Sequence, residues 1–208
     1  MIFALLTRSI IINEDLNMTK KLLALAIAGI FSSSVSATNV SYDNFTLGWS
    51  QASIDAGVAD IDADGFTAGV SFSFDDNWYG KVDTTRTSGD DFGADYDFDL
   101  STINIGYRTE VSSNTDFIAE LGYAKAEFDV SGLASEDDSG YNVVLGFRGM
   151  PADNIELGAN VQHIDLDGSS TFFNLEGRYF FTDSFSLGLK ASFESDTNIY
   201  SLTARFEF

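Results

Sequence analysis

The stretch Phe-Thr-Ala-Gly-Val-Ser-Phe-Ser-Phe, residues 66–74, alternates apolar side chains with small or polar ones. Successive side chains of a β-strand point to opposite faces. Phe66 and Val70 therefore share one face of this segment, while Thr67 and Ser71 share the other. A period of two residues predicts a strand with one apolar and one polar face.

The same alternation recurs to the end of the chain and predicts an all-β protein with ten strands. Strands that cross a bilayer at a tilt need about 9 to 11 residues, which fits the segments found here. Tighter turns and longer loops alternate between them, so we predict a transmembrane antiparallel up-and-down β-barrel. A barrel of eight strands with one wrongly divided hairpin is the alternative. The predicted strands are residues 42–54, 65–74, 78–87, 98–109, 117–128, 140–149, 155–164, 171–181, 185–193 and 199–208.

The beginning of the chain reads as a targeting segment. Residues 18–37 combine a positively charged start, a short apolar run and small residues before a cleavage point after Ala37, which is typical of a secretory signal peptide. The apolar run is too short for a membrane helix, which needs about 20 residues. We expect residues 1–17 to be an extension from a start assigned too early, and residues 38–208 to form the barrel.

The composition excludes several classes of protein. The 208 residues include 32 Asp and Glu against 11 Lys and Arg, a net charge of −21, and no Cys. Nucleic acid is not expected as a partner, because so acidic a chain repels the phosphate backbone. Without Cys there can be no disulfide, thiolate metal site or thiol nucleophile. The aromatic share of 14% is too high for a disordered acidic chain.

Charged residues fall on the polar face of the predicted strands. Four arginines each lie a few residues before the turn end of a strand that runs from the loops to the turns. Residues two apart share a strand face, so this spacing (the parity of the strand) places all four at one level of the lumen, with several acids beside them. Paired charges can plug a narrow barrel, whereas an unpaired ring can line a small pore. We predict a plugged lumen, with a narrow porin-like channel as the alternative. The predicted lumen residues are Arg108, Arg148, Arg178, Arg205, Glu120, Glu156, Glu176, Glu207, Lys81, Asp83 and Lys190.

The predicted outer loops are rich in Asp and Glu. Residues 60–65 resemble the start of a calcium-binding loop, but Ser71 stands where the pattern requires a final Glu. We therefore expect at most a weak Ca²⁺ or Mg²⁺ site at Asp60, Asp62 and Asp64, and no other cofactor. A solvated acidic loop is the main interpretation.

A catalytic role has little support in the sequence. His163 is the one histidine, and its parity with Val161 places it on the face expected to meet lipid. The order His163-x-Asp165 lacks the Asp-x-His of omptin-type proteases and the His-x-Ser of lipid A deacylases. We predict that the protein is not an enzyme.

The last strand carries a recognisable ending. Tyr200, Leu202 and Phe206 share a face with Phe208, where the sequence ends. This ending is similar to the C-terminal signature that an assembly machinery reads in bacterial outer-membrane barrels. With the signal peptide and the alternating strands, it makes the chain resemble the small bacterial outer-membrane β-barrel family, which includes the transmembrane domain of outer-membrane protein A.

The resemblance covers nearly all of residues 38–208 and concerns the overall pattern. It implies export through the periplasm by a cleaved signal peptide and residence in the outer membrane. The implied partners are periplasmic chaperones, the barrel assembly machinery, outer-membrane lipid and lipopolysaccharide. Members act as structural anchors, adhesins, serum-resistance factors or small pores, so a structural or surface role is expected here.

Overall fold

The computed structural model describes residues 40–55, 60–90, 95–132 and 135–208. Within them, ten antiparallel strands form one closed barrel, in which sequence neighbours pair and the first strand pairs with the last. The prediction of ten strands is confirmed, and the eight-strand alternative is excluded. The strands are β1 (Asn44–Asp55), β2 (Asp60–Ser73), β3 (Trp78–Gly89), β4 (Tyr96–Ser112), β5 (Thr115–Val130), β6 (Glu136–Ala152), β7 (Ile155–Asp165), β8 (Ser169–Thr182), β9 (Phe185–Phe193) and β10 (Thr197–Glu207).

The predicted upstream extension and signal peptide, residues 1–37, lie outside the described residues. No helix in the described part of the chain is long and apolar enough to cross a bilayer.

Several strand ends differ from the prediction. β2 begins at Asp60 and β4 at Tyr96, so parts of the predicted acidic loops are strand. The ladder continues there because its hydrogen bonds join backbone groups and need no apolar side chains. Residue 42 was predicted to lie in a strand, but β1 begins at Asn44.

The outward face of the barrel carries an apolar band. Ile103, Leu121 and Leu189 are 57%, 64% and 66% exposed on this face. Exposed apolar surface costs about 25 cal/mol per Å² in water, so this band fits a hydrocarbon surrounding. At the turn end, Trp78 packs edge-on against Tyr107 with 5.0 Å between ring centroids, as in an interfacial aromatic girdle. The residues of the predicted assembly signature also point outward and are exposed: Tyr200, Leu202, Phe206 and Phe208.

Nearer the loop end, the apolar side chains move from the outward face of the barrel wall to its lumen face, and the polar side chains move to the outward face. On β5, Leu121 and Tyr123 face outward, whereas further along the strand Phe128 and Val130 line the lumen and Lys125 faces outward. A wall surrounded by lipid needs its apolar side chains outside, and a wall surrounded by water needs them inside. The exchange therefore marks the level at which the strands leave the bilayer.

Candidate functional site

The lumen contains a cavity of about 690 Å³ whose wall is layered along the barrel axis. On β8 the lining residues run from the loop end to the turn end as Phe172, Asn174, Glu176 and Arg178. We name the three resulting levels the apolar layer (Phe98, Leu100, Phe128, Ile164, Phe172, Ile199), the amide layer (Asn104, Asn142, Asn160, Gln162, Asn174) and the charged layer (Lys81, Asp83, Glu120, Arg148, Glu156, Glu176, Arg178, Lys190, Arg205 and, through its contact with Arg205, Glu207).

A continuous chain of ion pairs crosses the charged layer. Glu156 is 2% exposed and accepts hydrogen bonds from Arg148 at 2.8 Å and Arg205 at 3.0 Å. Glu176 accepts from Arg178 at 2.6 Å and lies 3.4 Å from Arg205. Arg205 therefore joins both carboxylates, and the chain links four strands across the barrel. Buried charges are stable only when they are paired and hydrogen-bonded in this way.

Glu120 organises a second group in the same layer. Its carboxylate accepts a hydrogen bond from the Tyr79 hydroxyl at 2.8 Å and one from the Asn104 amide at 3.3 Å. The Lys81 ammonium lies 4.0 Å from Glu120 and 3.1 Å from Asp83. This group connects the charged layer to the amide layer above it.

The segment before β1 places an aromatic ring at the turn end of the lumen. The Tyr42 ring lies 4.6 Å from that of Tyr79, and the guanidinium groups of Arg108 and Arg148 lie over it at 4.7 and 4.9 Å. Burial raises the pKa of the Tyr42 hydroxyl, so it stays protonated and donates to Asp116 at 3.1 Å. Two cation–π contacts thus hold the Tyr42 ring at the turn end of the lumen.

The structure brings most of the predicted lumen residues together, but Arg108 stands apart. Its guanidinium pairs with Asp116 at 3.5 Å, at the turn end, and not with the shared carboxylates. Glu207 makes only a marginal contact with Arg205, at 4.0 Å. Lys190 lines the cavity and forms no ion pair with another described residue. Asp116 and Tyr42 were not predicted, because sequence alone does not show which turn residues reach the lumen.

The amide layer was also not predicted. The Asn142 amide donates to Asn104 at 2.9 Å and accepts from Gln162 at 3.0 Å, and Asn142 is fully buried. Gly122 lies between the first two residues, and a Cβ there would come within 2.1 Å of the Asn104 side-chain oxygen. The sequence did contain a signal for this layer, because Asn and Gln residues recur at lumen-facing positions of several strands.

The remaining predicted site residues lie outside the lumen. Asp62 and Asp64 are exposed on the outward face of β2, and the side chain of Asp60 is not described. Among the described residues, no group of three His, Asp or Glu side chains could hold a metal ion. His163 Nδ1 lies 2.9 Å from the Thr171 hydroxyl, with His163 on the outer face as its parity indicated. A weak cation site thus stays a prediction.

Removing the Tyr42 hydroxyl should destabilise the barrel. In Tyr42→Phe the ring packing is kept and the hydrogen bond to Asp116 is lost, so we expect a loss of about 1.5 kcal/mol in the free energy of unfolding. Urea titration of the protein in lipid vesicles, followed by tryptophan fluorescence, measures this. Tyr200→Phe, on the outward face, is the matched control and should change little.

Comparison with known proteins gives one family and several structures. The family model of the outer membrane protein beta-barrel domain matches residues 22–172. No curated protein sequence gives a significant match. The attachment invasion locus protein of Yersinia pestis, solved with the heparin analogue sucrose octasulfate, is 14% identical with a TM-score of 0.46, over 79% of this chain and 97% of that one.

Two further solved structures are similar. Neisserial surface protein A is 12% identical with a TM-score of 0.46, over 81% of this chain and 98% of that one. The outer membrane protein OprG of Pseudomonas aeruginosa is 12% identical with a TM-score of 0.44, over 83% of this chain and 99% of that one.

Proposed function

This chain belongs to the outer membrane protein beta-barrel domain family, and from that membership we propose that it acts as a structural or surface barrel with a closed lumen. Its apolar band would contact outer-membrane lipid, and the charged outward face beyond the band would meet lipopolysaccharide. The closure lies at the turn end and consists of the charged layer together with Tyr42.

The observation that carries this proposal is the position of Arg205. Its guanidinium contacts both Glu156 and Glu176, and Arg148 and Arg178 complete the pairing of those carboxylates. An ion entering this level would have to separate buried pairs, which leaves uncompensated charge in a site shielded from water. The Tyr42 ring adds a second barrier directly beneath the pairs.

Conductance in planar lipid bilayers tests the proposal. We expect the refolded wild-type protein to show no steady conductance. Arg205→Ala, made together with Tyr42→Ala so that both barriers are removed, should produce a measurable, cation-selective conductance, because Glu156 and Glu176 each lose one cation.

The control is Arg86→Ala, which removes an ion pair with Asp99 on the outward face and should show no steady conductance. Heat-modifiable migration on denaturing gels would verify that all three proteins are folded. Steady wild-type conductance, equal to that of the double variant, would instead support the narrow porin-like channel.

A further inference from the structure

The apolar layer surrounds open space, although its residues resemble those of a protein core. Phe98 and Leu100 on β4 line the same cavity as Phe172 on β8 and Ile199 on β10. A cavity of about 690 Å³ falls within the range of about 300–1,000 Å³ found for ligand pockets. Apolar walls without neighbours forgo dispersion contacts, so an apolar occupant would be stabilised there.

The next level toward the turn end offers hydrogen bonds from uncharged side chains, and the charges opposite Asn104 and Thr102, Lys81 and Asp83, pair with each other. Hydroxyl groups of Thr85 and Thr102 and amide groups of Asn160 and Gln162 line the cavity. A ligand whose apolar part lay against the apolar layer would present its other end to these groups. That end would therefore need to be polar and able to exchange hydrogen bonds.

The charged layer below favours neither sign of charge in such a ligand. It contains five basic and five acidic side chains, namely Lys81, Arg148, Arg178, Lys190 and Arg205 against Asp83, Glu120, Glu156, Glu176 and Glu207. A balanced set produces no net attraction for an ionic head group. A charged head held at the amide layer would also lose its hydration, and on β9 it would lie one inward position short of Lys190, which has no ion pair with another described residue.

We propose that the loop-end half of the lumen binds a single-chain amphiphile with an uncharged polar head group. Its chain packs against the apolar layer, and its head forms hydrogen bonds with the amide layer and the adjacent threonines. This site goes beyond the proposed structural role and does not depend on whether the turn end conducts ions.

Three ligands with one chain length and different head groups test the proposal: 1-monolauroylglycerol, laurate and dodecylamine. The mature barrel is placed in lipid nanodiscs, because detergents are themselves amphiphiles that would compete. Native mass spectrometry then counts the ligand that stays on the protein, with empty nanodiscs as the background. We expect one bound 1-monolauroylglycerol and weaker binding of both charged ligands.

Two neighbouring residues of β4 supply a matched pair of variants. Leu100 faces the cavity and Ser101 faces outward, so Leu100→Trp fills the site while Ser101→Trp adds the same ring outside it. We expect Leu100→Trp to weaken 1-monolauroylglycerol binding at least about tenfold and Ser101→Trp to change it less than about twofold. If Leu100→Trp fails to fold, Leu100→Asn removes the apolar contact with a side chain of the same number of heavy atoms and should weaken binding in the same way.

Binding no higher than the nanodisc background, or equal loss in both tryptophan variants, would overturn the site. Tighter binding of laurate or dodecylamine would overturn the assignment of an uncharged head group. These binding experiments measure no conductance. Neither result therefore affects the proposed closure of the turn end, which the planar-bilayer experiment tests separately.

Discussion

Glu156→Leu is expected to lower the free energy of unfolding by about 3–5 kcal/mol, because it leaves buried cations without a partner. The Glu156 carboxylate is 2% exposed and accepts hydrogen bonds from Arg148 and Arg205. Arg205 would retain Glu176 at 3.4 Å, but Arg148 would lose its ion pair and keep the Tyr42 ring. Urea unfolding in lipid vesicles, followed by tryptophan fluorescence, measures the loss.

Glu207→Leu is the matched control. Glu207 occupies the same layer but makes only a 4.0 Å contact with Arg205, so its removal should cost no more than about 1 kcal/mol. The double variant Glu156→Leu with Arg148→Leu should lose less free energy of unfolding than the two single variants together, because both partners of the ion pair are removed at once. Equal losses for Glu156→Leu and Glu207→Leu would show that the ion-pair chain does not hold the lumen together.

Leu121→Arg should destabilise the barrel by about 2–4 kcal/mol, the cost of an arginine on the lipid face near the middle of a bilayer. Leu121 is 64% exposed on the outward face of β5, within the apolar band. The same vesicle-based urea titration applies, with refolding yield as a second readout.

Asp129→Arg places an arginine on the same face of β5, but nearer the loop end, where the apolar side chains of the strand face the lumen. Asp129 is exposed there, so this change should stay within about 0.5 kcal/mol of wild type. A similar cost at both positions would mean that lipid surrounds the loop end as well. No cost at Leu121 would mean that the apolar band does not face lipid at all.

The extent of the strands shows where prediction from pattern failed. In β2 the apolar residues are Phe66 and Val70 on the outward face, but Ile61 and Ala63 on the lumen face, so the alternation changes phase within one strand. The pattern before residue 65 was therefore interpreted as an acidic loop with a weak cation site, although Asp62 and Asp64 lie on a strand. The apolar side chains face outward where lipid surrounds the strand and face the lumen where water surrounds it, which accounts for the shift in the alternation.

The candidate site was predicted in part. Parity alone placed Glu156, Glu176 and three of the four arginines at one lumen level, because side chains two residues apart share a strand face. Parity did not distinguish Arg108, whose partner Asp116 lies on the neighbouring strand at the turn. Tyr42 has the parity of the polar face in the predicted strand 42–54, but parity does not show that its ring lies at the turn end of the lumen, before the start of β1.

The sequence by itself determined that the chain alternates as β-strands, which side of each predicted strand is polar, and that the polar side carries charge of both signs, while it left eight strands open beside ten. The tertiary structure alone decided which charges meet. Glu156 and Arg205 are separated by 49 residues, and their contact depends on the stagger of β7 to β10, whose registers place Glu156, Arg178, Gly188 and Thr203 in one row. Strand period is a local property of the backbone, whereas stagger is a property of the closed sheet. For the same reason only the closed sheet showed a cavity with an apolar, an amide and a charged level.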